Sequence, residues 1–179
     1  MLTIDPKRSL LLIIDFQSRL MPAIDAGATA VRNANRLIGM AELVDIPCVF
    51  TEQNAKGLGS TVEDLPVEKG KLIHKQFFDA CRENSFLDRI PIDAHVVVAG
   101  CEAHVCVQQT VLGLLNVHRK TYVVRDALGS RRPEDKETAI RRMERHGAEI
   151  VTTEMVVFEW LQTAEHPKFR DAIALIKEK

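Results

Sequence analysis

At 179 residues, with 46% hydrophobic and 27% charged side chains, the chain has the size and composition of one globular domain with a sizeable core. A net charge of −1 and an aromatic content of 5% leave neither the electrostatic footprint nor the stacking surface of a nucleic-acid binder. No apolar run approaches the roughly 20 residues that cross a bilayer, the first eight residues lack the apolar core of a signal peptide, and Cys48, Cys81, Cys101 and Cys106 show no CxxC spacing for a disulfide framework or zinc knuckle. The expectation is a cytoplasmic protein with no membrane or nucleic-acid partner.

Residues 9–15 form a continuous apolar run ending in Asp15, which predicts a buried first strand. A helix follows around 26–45, with Val31, Leu37, Ile38, Met40 and Leu43 toward the core. The second strand is 47–51, and a glycine-containing loop over 54–70 leads to a third strand near 71–75. A short helix begins within 83–87, with Asn84 or Ser85 as its cap. The fourth strand is 94–100, and its helix, with Val107, Val111, Leu114 and Leu115 at helical spacing, runs to about 117. The fifth strand covers 121–126. Pro133 suits the first turn of a helix to about Arg145, the sixth strand is 148–152, and helices around 154–162 and 167–178 close the chain. Alternating strands and helices predict an α/β fold: a doubly wound, mainly parallel six-stranded sheet in the order 3-2-1-4-5-6 with helices on both faces. With no repeat, low-complexity tract or linker, residues 1–179 read as one domain. This order sets strands 1 and 4 side by side, with Asp15 and the turn carrying Cys106 as neighbours at a switch point.

Three polar residues at strand ends carry chemistry. Cys106 sits near the first turn of its helix, where the dipole and unpaired N–H groups favour thiolate and could stabilise an oxyanion; the other reading is a buried structural cysteine. Asp15 stands where ligands bind in parallel sheets, or serves as a turn aspartate. Lys75, just before Phe77 and Phe78, is either a snorkelling surface residue or a partly buried cation paired with a carboxylate. Together they make a base, a cation and a nucleophile. Cys101, at the strand end before the helix, is the rival thiol. Gln17, Glu52 and Gln53 are candidate substrate-binding residues. His74 and His104 read as structural, and Arg125, Asp126, Arg131 and Arg132 as a solvated charged loop.

On these residues the chain resembles the isochorismatase-like cysteine hydrolases, the superfamily of nicotinamidases and N-carbamoylsarcosine amidase. The likeness covers about residues 7–165 and rests on Ile14-Asp15-Phe16-Gln17, on Lys75 and on Gly100-Cys101-Glu102-Ala103-His104-Val105-Cys106-Val107. It implies an Asp15-Lys75-Cys106 triad, a cis peptide between Cys101 and Glu102, and an oxyanion hole formed by the backbone N–H groups of Glu102 and Cys106. The implied activity is hydrolysis of a small amide-like substrate through an acyl-enzyme. Residues 51–61 are similar to those of the isochorismatase-domain-containing proteins, whose substrate is unassigned. Nicotinamidases hold a metal with an aspartate and histidines after strand two. This chain reads Thr51-Glu52-Gln53-Asn54 there and has no histidine between 51 and 73, so neither metal nor other cofactor is expected. Isochorismate hydrolysis itself is not expected, because that branch works without the cysteine. A weakly active scaffold or binding protein, or a thiol-redox protein with Cys101 as resolving cysteine, are the alternatives. The resemblance also implies a homo-oligomer, and the apolar residues of the last helices (Val156, Val157, Trp160, Leu161, Phe169, Ala172, Ile173, Leu175, Ile176) offer surface for a dimer or larger assembly.

Overall fold

In the computed structural model of the chain, residues 2–177 are described. Six strands, β1 (Ser9–Ile14), β2 (Cys48–Gln53), β3 (Lys71–Lys75), β4 (His95–Cys101), β5 (Lys120–Gly129) and β6 (Glu149–Val151), form one sheet in the order β3-β2-β1-β4-β5-β6. Every pairing is parallel. The helices are α1 (Gly27–Leu43), α2 (Ala55–Leu58), α3 (Gln108–Asn116), α4 (Pro133–Arg145), α5 (Thr153–Leu161) and α6 (Phe169–Lys177). The doubly wound topology is the one the sequence predicts.

The apolar runs become strands because both faces of the sheet are covered, so each successive residue finds a core. Leu11 and Ile13 of β1 join a cluster with residues of α1, α5 and α6. Leu10, Leu12 and Ile14 join a second cluster with residues of α3 and α4 on the other face. Burying one such side chain stabilises by about 1.5–3 kcal/mol.

Register brings the functional strand ends together. Ile14 pairs with Thr51 on one side and Gly100 on the other, and Gln53 pairs with Lys75. Glycine is required at 100: a Cβ there would lie 2.7 Å from the Cβ and carbonyl oxygen of Ile14. Register therefore places the carboxyl ends of β1, β2, β3 and β4 side by side.

Several expectations change. The helix within 83–87 is replaced by two single 3-10 turns, Ala80–Arg82 and Leu87–Arg89, with Asp79 capping the first and Ser85 left-handed at φ 66° between them. The loop over 54–70 contains α2. The fifth strand extends to Gly129, past an irregularity in its pairing with β4 between Val98 and Gly100. Position 178, in the final predicted helix, lies outside the described residues.

The terminal helices are also spent differently. Val156, Val157, Trp160, Leu161 and Ala172 are buried within the chain, and the Trp160 indole donates to Ser9 Oγ at 3.0 Å. They fill the α1 side of the sheet and offer no surface to a partner. Met155 and Phe158 are the large apolar side chains of α5 that stay exposed. Among the described residues no helix is long and apolar enough to cross a membrane.

Candidate active site

Asp15 directly follows β1 with φ 52°, a left-handed conformation that aspartate tolerates better than most residues. Its amide donates to Thr51 O at 3.1 Å and its carbonyl accepts from Gln17 N at 2.9 Å. This turn aims the carboxylate inward. Oδ1 accepts from Thr51 Oγ1 at 2.7 Å, and Oδ2 lies 2.7 Å from Lys75 Nζ.

Lys75 and Asp15 both have 0% side-chain exposure, which excludes the snorkelling reading. An ammonium this deep needs partners. Besides Asp15, Lys75 Nζ donates to Gln53 Oε1 at 2.8 Å and, more distantly, to Phe77 O at 3.4 Å.

The Gln53 side chain is itself held. Its Nε2 donates to Gln76 O at 2.8 Å, while its backbone N–H donates to Gln17 Oε1 at 2.8 Å. Gln17 Nε2 donates to Gln53 O at 3.0 Å and Gly59 O at 2.6 Å. A chain of amides thus runs from Gln17 through Gln53 to the lysine.

Cys106 lies in a one-turn π-helix, Ala103–Val107, that precedes α3. Glu102 O accepts from Val105 N at 3.0 Å and from Val107 N at 3.2 Å, which pins the turn. The Cys101–Glu102 peptide is cis. The Cys106 thiol lines the same cavity as Asp15, and the charges of Asp15 and Lys75 both act on it. Its pKa is pushed up to about 12, first by burial and then by the Asp15 carboxylate, with Lys75 opposing. Burial and the facing Asp15 carboxylate thus work against the thiolate that the helix start alone would favour.

Cys101 packs into the core on the opposite face of the sheet from Cys106. Burial raises its pKa as well. All four cysteines are free.

A cavity of about 330 Å3 opens above Cys106 and Asp15. Gln53 lines it, as expected. Gln17 and Glu52 are not among its described lining residues, for a physical reason in each case. The Gln17 amide is consumed by the clamp just given. Glu52, on the other side of β2, accepts from Thr61 N at 2.7 Å and Thr61 Oγ1 at 2.9 Å, and its second oxygen lies 3.3 Å from His74 Nδ1. His104 Nδ1 sits 3.0 Å from Ser130 Oγ. Among the described residues, no group of three histidine, cysteine, aspartate or glutamate side chains is gathered to hold a metal.

Sequence reasoning missed the rest of the wall. Leu20, Ala23, Leu58, Phe78 and Val105 make it apolar. Phe78 carried a signal in its closeness to Lys75 and Val105 lies in the motif around Cys106, while Leu20 and Ala23 come from the segment after β1 and Leu58 from α2. Arg131 also lines the cavity and is not part of a solvated loop alone: Glu102 Oε2 accepts from its backbone N–H at 3.0 Å and from its Nε at 2.9 Å.

The isochorismatase domain model matches residues 9–155. The chain is 36% identical to isochorismatase domain-containing protein 1 of Danio rerio, over 97% of this chain and 62% of that protein, so it spans less than two thirds of that relative's length. It is 32% identical to isochorismatase family protein 1A of Dictyostelium discoideum, over 98% of this chain and 89% of that one. A solved structure named MAR1 ribonuclease from Caenorhabditis elegans superposes with a TM-score of 0.90 at 33% identity, over 99% of this chain and 93% of that chain. The YcaC gene product of Escherichia coli, an octameric hydrolase of unknown specificity, shares the fold with a TM-score of 0.87 at 21% identity, over 98% of this chain and 88% of that one.

Proposed function

Because the chain belongs to the isochorismatase family, a family of hydrolases, we propose that it is a cysteine hydrolase of small amide-like C–N substrates, acting through an acyl-enzyme on Cys106. The observation that carries this reading is the fully buried Asp15–Lys75 pair at 2.7 Å, with Asp15 and Cys106 lining the same cavity.

With burial raising the Cys106 pKa, attack and proton transfer are coupled. Asp15 accepts the Cys106 proton as Sγ bonds to the substrate carbonyl carbon and the carbonyl π pair moves onto oxygen. The backbone N–H groups of Glu102 and Cys106 receive that oxyanion, an interaction whose loss typically raises the barrier by about 2.7–4 kcal/mol. Collapse breaks the C–N bond, and the amine departs with the proton held by Asp15. A water then gives its proton to Asp15 and attacks the thioester, releasing the acid and restoring the thiol. Lys75 holds the Asp15 carboxylate in place and offsets the negative charge that builds on sulfur. Gln53 fixes the lysine for both tasks.

The structural relative named a ribonuclease supplies a second reading, cleavage of RNA. The net charge of −1, the mostly apolar wall and the small cavity favour the small molecule. The test is a panel of small amides, ureido acids and an RNA oligonucleotide, with ammonia release, RNA cleavage and the mass of Cys106 followed together. An acyl adduct on Cys106 with amide turnover that Cys106→Ala abolishes is the expected result. Turnover that survives Cys106→Ala overturns the nucleophile, and RNA cleavage dependent on Cys106 favours the second reading.

Assembly as a homo-oligomer belongs to the same proposal, supported by the octameric YcaC fold relative and by exposed Met155 and Phe158 on α5. Light scattering coupled to size exclusion decides it: a single species at the monomer mass of 20.1 kDa refutes it.

A further inference from the structure

Arg131 reaches the cavity wall from the segment between β5 and α4. Its hold on Glu102 uses one edge of the side chain. The backbone N–H and Nε both donate to the same oxygen, Glu102 Oε2, at 3.0 and 2.9 Å. Among the described residues no acceptor takes a hydrogen bond from its two terminal nitrogens. The pair is also lopsided in exposure: the Glu102 side chain is 8% exposed and the arginine 60%. Its negative end is turned inward and its positive end is left open. The other ion pair at the cavity, Asp15–Lys75, is fully buried and closed on itself. Leu20, Leu58, Phe78 and Val105 make the wall between them apolar.

From this asymmetry we infer that the site takes a small amide whose far end carries a carboxylate, and that Arg131 is the anchor for that carboxylate. The amide part rests on the hydrolase reading above. The carboxylate part rests on the free fork of the guanidinium. Two terminal nitrogens in one plane match the two oxygens of a carboxylate. Glu102 holds the arginine at two points, so little freedom is lost when a ligand docks on the remaining edge. Glu102 also caps the π turn that bears Cys106, so the tether of the arginine and the thiol are carried by one short segment. The apolar wall suits a hydrocarbon spacer between amide and carboxylate. A volume of about 330 Å3, at the lower end of ligand pockets, keeps that spacer short.

A fixed anchor favours one spacer length. Malonamate, succinamate and glutaramate are therefore the charged probes, each paired with the amide of the same length ending in methyl: propionamide, butyramide and valeramide. At the best spacer the wild type is expected to prefer the carboxylate in kcat/KM by about tenfold, the lower end for hydrogen bonds to charged groups because the guanidinium is largely exposed. Arg131→Gln should erase or invert that preference, since Glu102 then stands without its arginine. Arg131→Lys, which keeps the charge and loses the fork, should fall between the two. Because each readout is a ratio within one variant, a general loss of activity cancels.

Binding of the same compounds to Cys106→Ala is measured by calorimetry in parallel, since it needs no turnover. Tighter binding of a carboxylate probe than of its neutral pair, with no hydrolysis of any compound by the wild type, supports the anchor and overturns the hydrolase reading. Hydrolysis dependent on Cys106 that prefers the neutral amides, or whose ratio is the same at every spacer or unmoved in either Arg131 variant, leaves the hydrolase reading standing and overturns the anchor. Binding of no probe overturns it as well.

Discussion

Two ion pairs border the same cavity and live in opposite environments. Lys75–Asp15 closes at 2.7 Å with both side chains at 0% exposure, while Arg131–Glu102 closes at 2.9 Å with the arginine 60% exposed. The first pair cannot turn to water if a partner is lost; in the second the arginine can, and Glu102, 8% exposed, keeps the backbone N–H of residue 131 as a donor. Their contacts look alike, yet the expected cost of breaking them differs several-fold, because desolvation of the survivor sets it. The pair at the floor is thus a part of the core, and the pair at the wall has one member in water.

The largest expected effect lies at the floor. Cys106→Ala should remove amide turnover by at least about a thousandfold, as loss of a nucleophile does elsewhere, with folding retained by circular dichroism; residual turnover within tenfold of wild type would show that the thiol is not the nucleophile. Lys75→Met strands the Asp15 carboxylate and should cost about 3–5 kcal/mol in urea denaturation. Pairing it with Asp15→Asn should recover part of that loss, and an additive double mutant would break the account of a coupled pair.

Next comes Gln53→Leu, which takes one acceptor from Lys75 while leaving the ion pair. A buried donor left short of a partner costs about 1–3 kcal/mol, and the pH profile of turnover should shift as the lysine loosens. Unchanged stability together with an unchanged profile would remove Gln53 from the machinery.

The thiols set the alkaline limit. In the unfolded chain they titrate near 8.5, whereas in the fold burial holds Cys48 and Cys106 protonated up to about 12. A raised pKa contributes stability that is complete below the unfolded value and lost as pH climbs toward the folded one. Each thiol therefore steepens the alkaline loss by up to about 1.4 kcal/mol per pH unit. Cys106→Ala should flatten the fall of stability between those limits, measured by denaturation at stepped pH; a slope identical to wild type would contradict the burial account.

The smallest effect separates the two regions. Arg131→Gln should cost less than Lys75→Met, because the backbone N–H of residue 131 still donates to Glu102, and a loss comparable to that of Lys75→Met would erase the distinction between floor and wall.

The sheet was legible in the sequence because its signal is local. A run such as Leu10-Leu11-Leu12-Ile13-Ile14 is apolar at every position only when both faces are covered, and that pattern implies a parallel sheet with helices on each side. The single 3-10 turns after β3 were less legible, since Asn84 and Ser85 suit a helix cap and a left-handed turn alike. Asp15, Lys75 and Cys106 were nameable because each ends a strand, follows one or stands at a helix start.

What the tertiary structure alone decided is the state of those groups and of their neighbours. Lys75 could equally have reached water: its burial depends on β2, on the turn after β1 and on Gln53, all distant in sequence. The Cys106 thiol looked activated by its own helix start, and only the fold adds the burial and the facing carboxylate that push its pKa up. Gln17 and Arg131 exchanged roles for the same reason. The first is spent on backbone carbonyls, and the second, from a charged loop, is drawn to the cavity by Glu102. Hydrophobic period and turn chemistry are written within a few residues of one another. Desolvation and charge pairing sum over whatever the fold brings near, and that sum exists only once the strands are in register.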